Sequence, residues 1–273
     1  MSPGPETGEG GEARALLKPL RANPSHAAIL TDVDGTLAPI VERPEQAAVP
    51  ARTSELLAVL SQRFARVGCV SGRQALEARR LVGLEGIVYA GNHGLELLLP
   101  GSDEPRLDPA VAGQERTAAE FVAGLEQGKL NELGLRLEDK GPIQTLHWRG
   151  ADDERAADAH AHEIAAAAGR AHLEPRWGRK VLELRPLGGG GKDAAIGALL
   201  AEGEIAAAIY AGDDRTDLDA FRRLRELREE GRLGSSACVG VVSPEAPPEL
   251  TEEADLIVDG PEGWLQLLAE LAA

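Results

Sequence analysis

Aromatic residues are scarce in this 273-residue chain: Phe, Trp and Tyr make up 3% of it. An interior must therefore be filled by aliphatic side chains and alanine, and a hydrophobic share of 43% supplies enough of them for a globular protein. The length suffices for one large core, or a core and a smaller domain. Cysteine is nearly absent as well. Cys69 and Cys238 both sit in apolar, strand-like runs, which suits buried thiols in a reducing compartment better than a disulfide framework. No apolar run reaches the roughly 18 residues that span a bilayer, and "MSPGPETGEGGEARALL" lacks the basic-then-apolar order of a secretory leader. The expected location is the cytoplasm, with residues 1–20 a disordered lead-in. Positive charge is in deficit too, at a formal net charge of −16. Nucleic acid and anionic membranes are thereby disfavoured as partners. An anionic substrate would need a local positive field set against the global one.

What the chain does contain is a rhythm. "AAIL" at 27–30, "RVGCVSG" at 66–72 and "GIVYAG" at 86–91 read as short strands, separated by helical patterns at 53–65 and 73–83. The alternation resumes with a helix at 193–203, a strand at 206–214, a helix at 216–231, strands at 237–242 and 254–260, and a closing helix at 261–273 that has Pro at its start. Such alternation predicts a parallel sheet with helices on both faces. Between the halves lie two strands (133–141 and 142–150), a helix at 152–169 and two more strands (171–175 and 179–186). The expected fold class is therefore α/β, a doubly wound (Rossmann-like) parallel-sheet core interrupted by an inserted α+β domain. The core is expected over 21–107 and 187–273, the insertion over 108–186.

Open parallel sheets bind ligands beyond the carboxyl ends of their strands, and four stretches put unusual polar residues there. In "LTDVDGTLAPI", Asp32 and Asp34 leave a strand two residues apart and can face one ligand. Two such acids suit a hard cation, and one of them suits nucleophilic attack on phosphorus; a plain strand end with an Asp-Gly turn is the alternative. A calcium loop is excluded, because Gly35 comes too early and Arg43 stands where a bidentate Glu is needed. Ser71 in "CVSGRQ" either holds an anion with the backbone of the next helix or forms a capping box with Gln74. Lys192 in "GGGGKDAAI" fails the P-loop pattern, since Pro186 replaces the first Gly and Asp193 follows the Lys. A cation at a helix N-terminus opposes the dipole and implies a nearby anion, unless it is a solvated linker residue. In "AGDDRTDLDAF", Thr216 and Asp219 fit a capping box and Asp217 favours the dipole. Asp213 and Asp214 have no such explanation and look like metal ligands.

Taken together, D-x-D-G-T, the strand-end Ser71, Lys192 and G-D-D-x-T-D resemble the four motifs of the haloacid dehalogenase superfamily of phosphohydrolases, in the right order. "DVDGTLAPI", "VSGR", "GNHGLE" (91–96), "EDKG" (138–141), "HWR" (147–149), "LELRP" (182–186) and "GDDRTDLDAF" further resemble the trehalose-6-phosphate phosphatases, from about residue 25 to the end. One departure is Asp193, where the family usually has Gly after the Lys.

The resemblance implies Mg²⁺-dependent hydrolysis of trehalose 6-phosphate, in the same pathway as a trehalose-6-phosphate synthase. Other phosphorylated glycosides (glucosyl- or mannosylglycerate phosphate, sucrose phosphate) remain as alternative substrates. So does a silent sugar-phosphate sensor. It implies Asp32 as nucleophile, Asp34 as acid and base, and Ser71 and Lys192 on the phosphate. Asp32, the Asp34 carbonyl and Asp213 would hold the metal, with Asp214 or Asp217 outside them. Thr36, Arg73, Asn92 and His93 become substrate-binding candidates in the core. In the insertion, called the cap in that family, the candidates are Glu138, Lys140, His147, Arg179, Lys180 and Glu183. Lys140 also reads as a hairpin-turn residue, His147 as a half-buried strand residue, and Arg179 and Lys180 as solvated.

Overall fold

The computed structural model describes residues 8–41, 46–178, 180–244 and 246–273, with residues 8–14 as backbone alone. The chain divides into two units, Met1–Arg106 with Gly191–Ala273, and Leu107–Gly190. The second boundary thus falls after Gly190, where the sequence suggested Pro186.

The first unit begins with α1 (Gly8–Ala22), β1 (Ala27–Thr31), α2 (Ala51–Ser61), β2 (Arg66–Val70), α3 (Ala75–Val82), β3 (Val88–Gly91), β4 (Glu96–Leu98) and the two-residue β5 (Arg106–Leu107), where the division falls. The second unit holds α4 (Thr117–Ala123), α5 (Gln127–Glu132), β6 (Arg136–Lys140), β7 (Ile143–His147), α6 (Glu154–Arg170), β8 (Leu173–Gly178) and β9 (Val181–Pro186). The chain then returns through α7 (Lys192–Ala201), β10 (Ala207–Gly212), α8 (Asp217–Glu229), β11 (Ser235–Val242), α9 (Pro248–Glu253), β12 (Leu256–Asp259) and α10 (Gly260–Ala272).

The large sheet runs β12-β11-β10-β1-β2-β3-β4-β5. From β12 to β3 every pairing is parallel. β1 is buried along its whole length, as a strand covered on both faces must be, and its apolar run is accordingly unbroken. Its side chains alternate between two cores. Ile29 joins Leu17, Leu57, Leu60, Trp264 and Leu268 on one face. Ala28 and Leu30 join Ile196, Leu199, Phe221 and Leu224 on the other. Helices on both faces make the sheet doubly wound.

One expectation is corrected in this unit, and the parallel core gains an edge that the sequence did not announce. The disordered lead-in predicted over 1–20 includes most of α1, and Leu17 and Leu20 are each 1% exposed against the sheet. Glycine, proline and glutamate recur in the local composition, yet packing of one apolar stripe carries the helix. The sheet is also not wholly parallel, because β4 returns antiparallel to β3. Asn92 and His93 turn the chain there in left-handed conformations (φ 49° and 56°), and so short a link cannot make a parallel crossover.

The second unit is a four-stranded antiparallel sheet, β6-β7-β9-β8. Leu146, Leu182 and Leu184 pack with Trp148 against Ala118 and Val122 of α4 and Ala157, Ala161 and Ile164 of α6. Their neighbours in the strands, Thr145, His147 and Glu183, belong to the other face.

Candidate active site

The carboxyl ends of β10, β1, β2 and β3 lie side by side and are followed by Asp213, Asp32, Ser71 and Asn92 respectively. Asp32 continues the ladder, donating its N–H to the Ala211 carbonyl at 2.8 Å. Its carboxylate is almost fully buried. Lys192 enters from the first turn of α7, 2% exposed, and its Nζ donates to Asp32 Oδ1 at 2.8 Å and to Asp217 Oδ1 at 2.6 Å. The anion that a lysine at a helix N-terminus demands is thus a pair of carboxylates.

Asp217 is the hub. Tyr210 Oη also donates to its Oδ1, and the backbone N–H groups of Asp213 and Asp214 donate to its Oδ2, each at 3.0 Å. Asp213 is held in turn by Thr36 Oγ1 at 3.2 Å, and its Oδ2 lies 2.0 Å from where a Cβ on Gly35 would stand. Glycine is required at that point, both for this approach and for a φ of +83°.

Three buried carboxylates around one ammonium leave excess negative charge in a place water reaches poorly. Burial pushes the Asp32 carboxyl well up, with Asp217, Asp213 and Asp214 adding to the effect and Lys192 opposing it. Burial likewise pushes Asp213 up to about 7, helped by Asp217 and Asp214. Burial alone would lower the Lys192 ammonium, but Asp217 and Asp32 raise it well above its ordinary value. Such a cluster calls for a second cation. Asp32, Asp213 and Asp217 each bring a carboxylate oxygen within 4.8 Å of the others, a donor set that fits a hard, oxygen-seeking metal ion. Asp217 already accepts four hydrogen bonds, so Asp32 and Asp213 are the better placed ligands.

The five acids expected to hold a metal therefore separate. The Asp34 side chain stands outside the cluster, which leaves the expectation for its backbone carbonyl untouched: Arg73 Nε donates to its Oδ2 at 2.7 Å and Arg73 Nη2 to its Oδ1 at 2.8 Å. Asp214 turns away as well, its Oδ1 accepting from the Thr216 N–H at 2.7 Å and from Thr216 Oγ1 at 2.6 Å. Both capping boxes are corrected by the same geometry. Thr216 occupies the N-cap of α8 but makes no side-chain cap, because its hydroxyl is spent on Asp214. Gln74, not Ser71, is the N-cap of α3, and Ser71 Oγ accepts from the Arg73 N–H at 3.2 Å.

The substrate-binding candidates divide too. Thr36 serves Asp213. Asn92 is fully buried and donates to Glu96 Oε1 at 2.8 Å, while Glu96 Oε2 accepts from the Ala75 N–H at 2.9 Å. Both therefore brace the loops around the sheet edge. The His93 ring lies over Gly72, where a Cβ would come within 2.7 Å of its Nε2. In the second unit, His147 Nε2 donates to Glu138 Oε2 at 2.8 Å. Lys140 stands 3.8 Å from Glu138 and 3.7 Å from Glu183, and Arg185 pairs with Glu183. Lys180 does not join them, since it pairs with Glu154 at the start of α6. Arg179 lies outside the described residues. Sequence reasoning overlooked Tyr210 and Glu96. Each is a polar group in an otherwise apolar strand, and that alone signals a buried partner.

The trehalose-phosphatase family model matches residues 30–247. The chain belongs to the trehalose-phosphatase family. An uncharacterized glycosyl hydrolase of Mycobacterium tuberculosis is 35% identical over 207 residues, which are 72% of this chain and 15% of that protein. A trehalose-phosphate phosphatase of Mycobacterium avium is 32% identical over 244 residues, 83% of this chain and 61% of that one. The chain thus spans less than two thirds of the length of either relative. Among solved structures, a trehalose-6-phosphate phosphatase related protein is similar with a TM-score of 0.69 and 26% identity, covering 90% of this chain and 96% of that chain. Among the described residues no helix is long and apolar enough to cross a membrane.

Proposed function

We propose that this member of the trehalose-phosphatase family hydrolyses trehalose 6-phosphate to trehalose and phosphate. The observation that carries the reading is the division of labour at the sheet edge. Asp32 is buried and held by Lys192, whereas Asp34, two residues on, is 40% exposed and held by a cation of its own.

Asp32 attacks phosphorus, and the bond to the sugar oxygen breaks as Asp34 gives that oxygen a proton. Asp34 then takes a proton from water as the water attacks phosphorus and Asp32 leaves, so the side chains end as they began. Lys192 and Ser71 hold phosphate oxygens, and their fixed positions supply the orientation on which phosphoryl transfer depends. Asp32, the Asp34 carbonyl and Asp213 would hold Mg²⁺, which would supply neutralising charge to the phosphate. Lys192, with such an ion beside it, would meet the need for local positive charge in a chain of net charge −16. The Glu138, Lys140, His147 and Glu183 face of the second unit supplies partners for sugar hydroxyls. Two buried free thiols suit the cytoplasm, where a trehalose-6-phosphate synthase would supply the substrate.

The test is phosphate release across a panel of sugar phosphates with and without Mg²⁺, for the native chain and Asp32→Asn. Native turnover of trehalose 6-phosphate that EDTA abolishes and that Asp32→Asn lacks is expected. Activity surviving in Asp32→Asn removes the nucleophile assignment, and a preference for another sugar phosphate removes the substrate. Binding of trehalose 6-phosphate without release returns the chain to a sensor.

A further inference from the structure

Arg73 was expected to bind substrate, but its geometry describes a different task. Its Nε and Nη2 meet the two oxygens of Asp34 in a bidentate fork, at 2.7 and 2.8 Å. Its Nη1 donates to Glu77 Oε1, one turn along in α3. The guanidinium is therefore clamped between two carboxylates, and its side chain is only 12% exposed against 40% for Asp34. The backbone beneath it is fixed as well. The Arg73 N–H donates to Ser71 Oγ, and its carbonyl accepts from the Asn92 N–H at 2.7 Å. A fork of this kind sets the plane of the carboxylate it grips, because both N–H bonds must lie in that plane.

We propose that Arg73 is a positioning residue for Asp34, aiming its carboxyl group so that the proton it carries in the acid form passes to the leaving alcohol oxygen and the carboxylate left behind stays paired, with Glu77 keeping the guanidinium from following the phosphate. The assignment rests on the function proposed above. It also explains how the chain keeps two carboxylates two residues apart: Lys192 compensates Asp32 and Arg73 compensates Asp34. Within this arrangement Lys192 is the phosphate's cation, and Arg73 is not.

The leaving group tests this. Nitrophenolate departs from 4-nitrophenyl phosphate without needing a proton, whereas ethyl phosphate and trehalose 6-phosphate both release alkoxides. The full chain with Mg²⁺ is assayed for first-turnover release of the alcohol or phenol, so that hydrolysis of the aspartyl-phosphate does not enter. A general acid contributes about 10²–10⁴-fold, so Arg73→Met is expected to slow both alkyl esters by at least about tenfold at unchanged KM. It is expected to leave the aryl ester nearly unaffected, following the profile of Asp34→Asn in weaker form. Arg73→Lys restores part of the loss, and Glu77→Gln shows the same profile at smaller amplitude and carries the test if Arg73→Met does not fold. Equal losses on all three esters overturn the assignment in favour of a phosphate contact or a structural role. A loss confined to trehalose 6-phosphate overturns it in favour of a sugar contact. A native chain that cleaves none of the three overturns the proposed function, and this assignment with it. A native chain that cleaves them, with Arg73→Met equally active on all, overturns this assignment alone.

Discussion

The charged residues of the two units are organised in opposite ways. In the first, Lys192, Asp32, Asp213 and Asp217 are nearly dry and interlocked, each held by several partners. In the second, Glu138, Lys140 and His147 form looser pairs across an antiparallel sheet, partly open to solvent. A buried cluster ties chemistry to stability, since removing one charge strands another. An open polar face can change its recognition at little cost to the fold.

The largest expected effect comes from Lys192→Met, which leaves two buried carboxylates without their cation. A loss of about 3–5 kcal/mol is expected, read from urea unfolding. If Lys140→Met in the second unit costs as much, the contrast fails. Next comes Gly35→Ala, whose methyl group would meet Asp213 Oδ2 at a backbone angle unfavourable to alanine. It should destabilise the fold by about 1–3 kcal/mol and abolish phosphate release, and full activity would show that the two loops are free to part. Tyr210→Phe removes one donor to a buried carboxylate and should cost about 1.5–3 kcal/mol by the same unfolding measurement. The smallest effect belongs to His147→Gln. The hydrogen bond from His147 chiefly, with Lys140 assisting, holds the Glu138 carboxyl below its ordinary 4.5. A lowered acid stabilises the folded state above its unfolded value and loses that contribution as pH falls through the folded one. The native advantage over His147→Gln should therefore be below about 1 kcal/mol near neutral pH, begin to fade as pH falls past 4.5, and be gone only below the lowered folded value. An advantage that grows in acid would reverse the sign.

Much of the first unit was legible because its strands are buried on both faces and their apolar runs end in turn residues. α9 and β4 were not, being six and three residues long and too short for a periodic pattern. α4 and α5 were overlooked for the same reason. The strand-end positions of Asp32, Ser71 and Asp213 could be read from local order. Their partners could not: Lys192 meets Asp32 across 160 residues of chain, and Thr36 meets Asp213 across 177.

By itself the sequence determined the alternation of strands and helices, and with it the edge at which the polar residues gather. Apolar periodicity and turn residues act over a few neighbours and are written in linear order. Only the tertiary structure decided which partner each acid meets. The spacing of Asp32, Asp34, Asp213, Asp214 and Asp217 treats them alike. Folding gives Asp32 a lysine, Asp34 an arginine, Asp214 a threonine and Asp217 four donors. A carboxylate's chemistry depends on the charge and the donors brought within about 3 Å of it, and those arrive from distant parts of the chain.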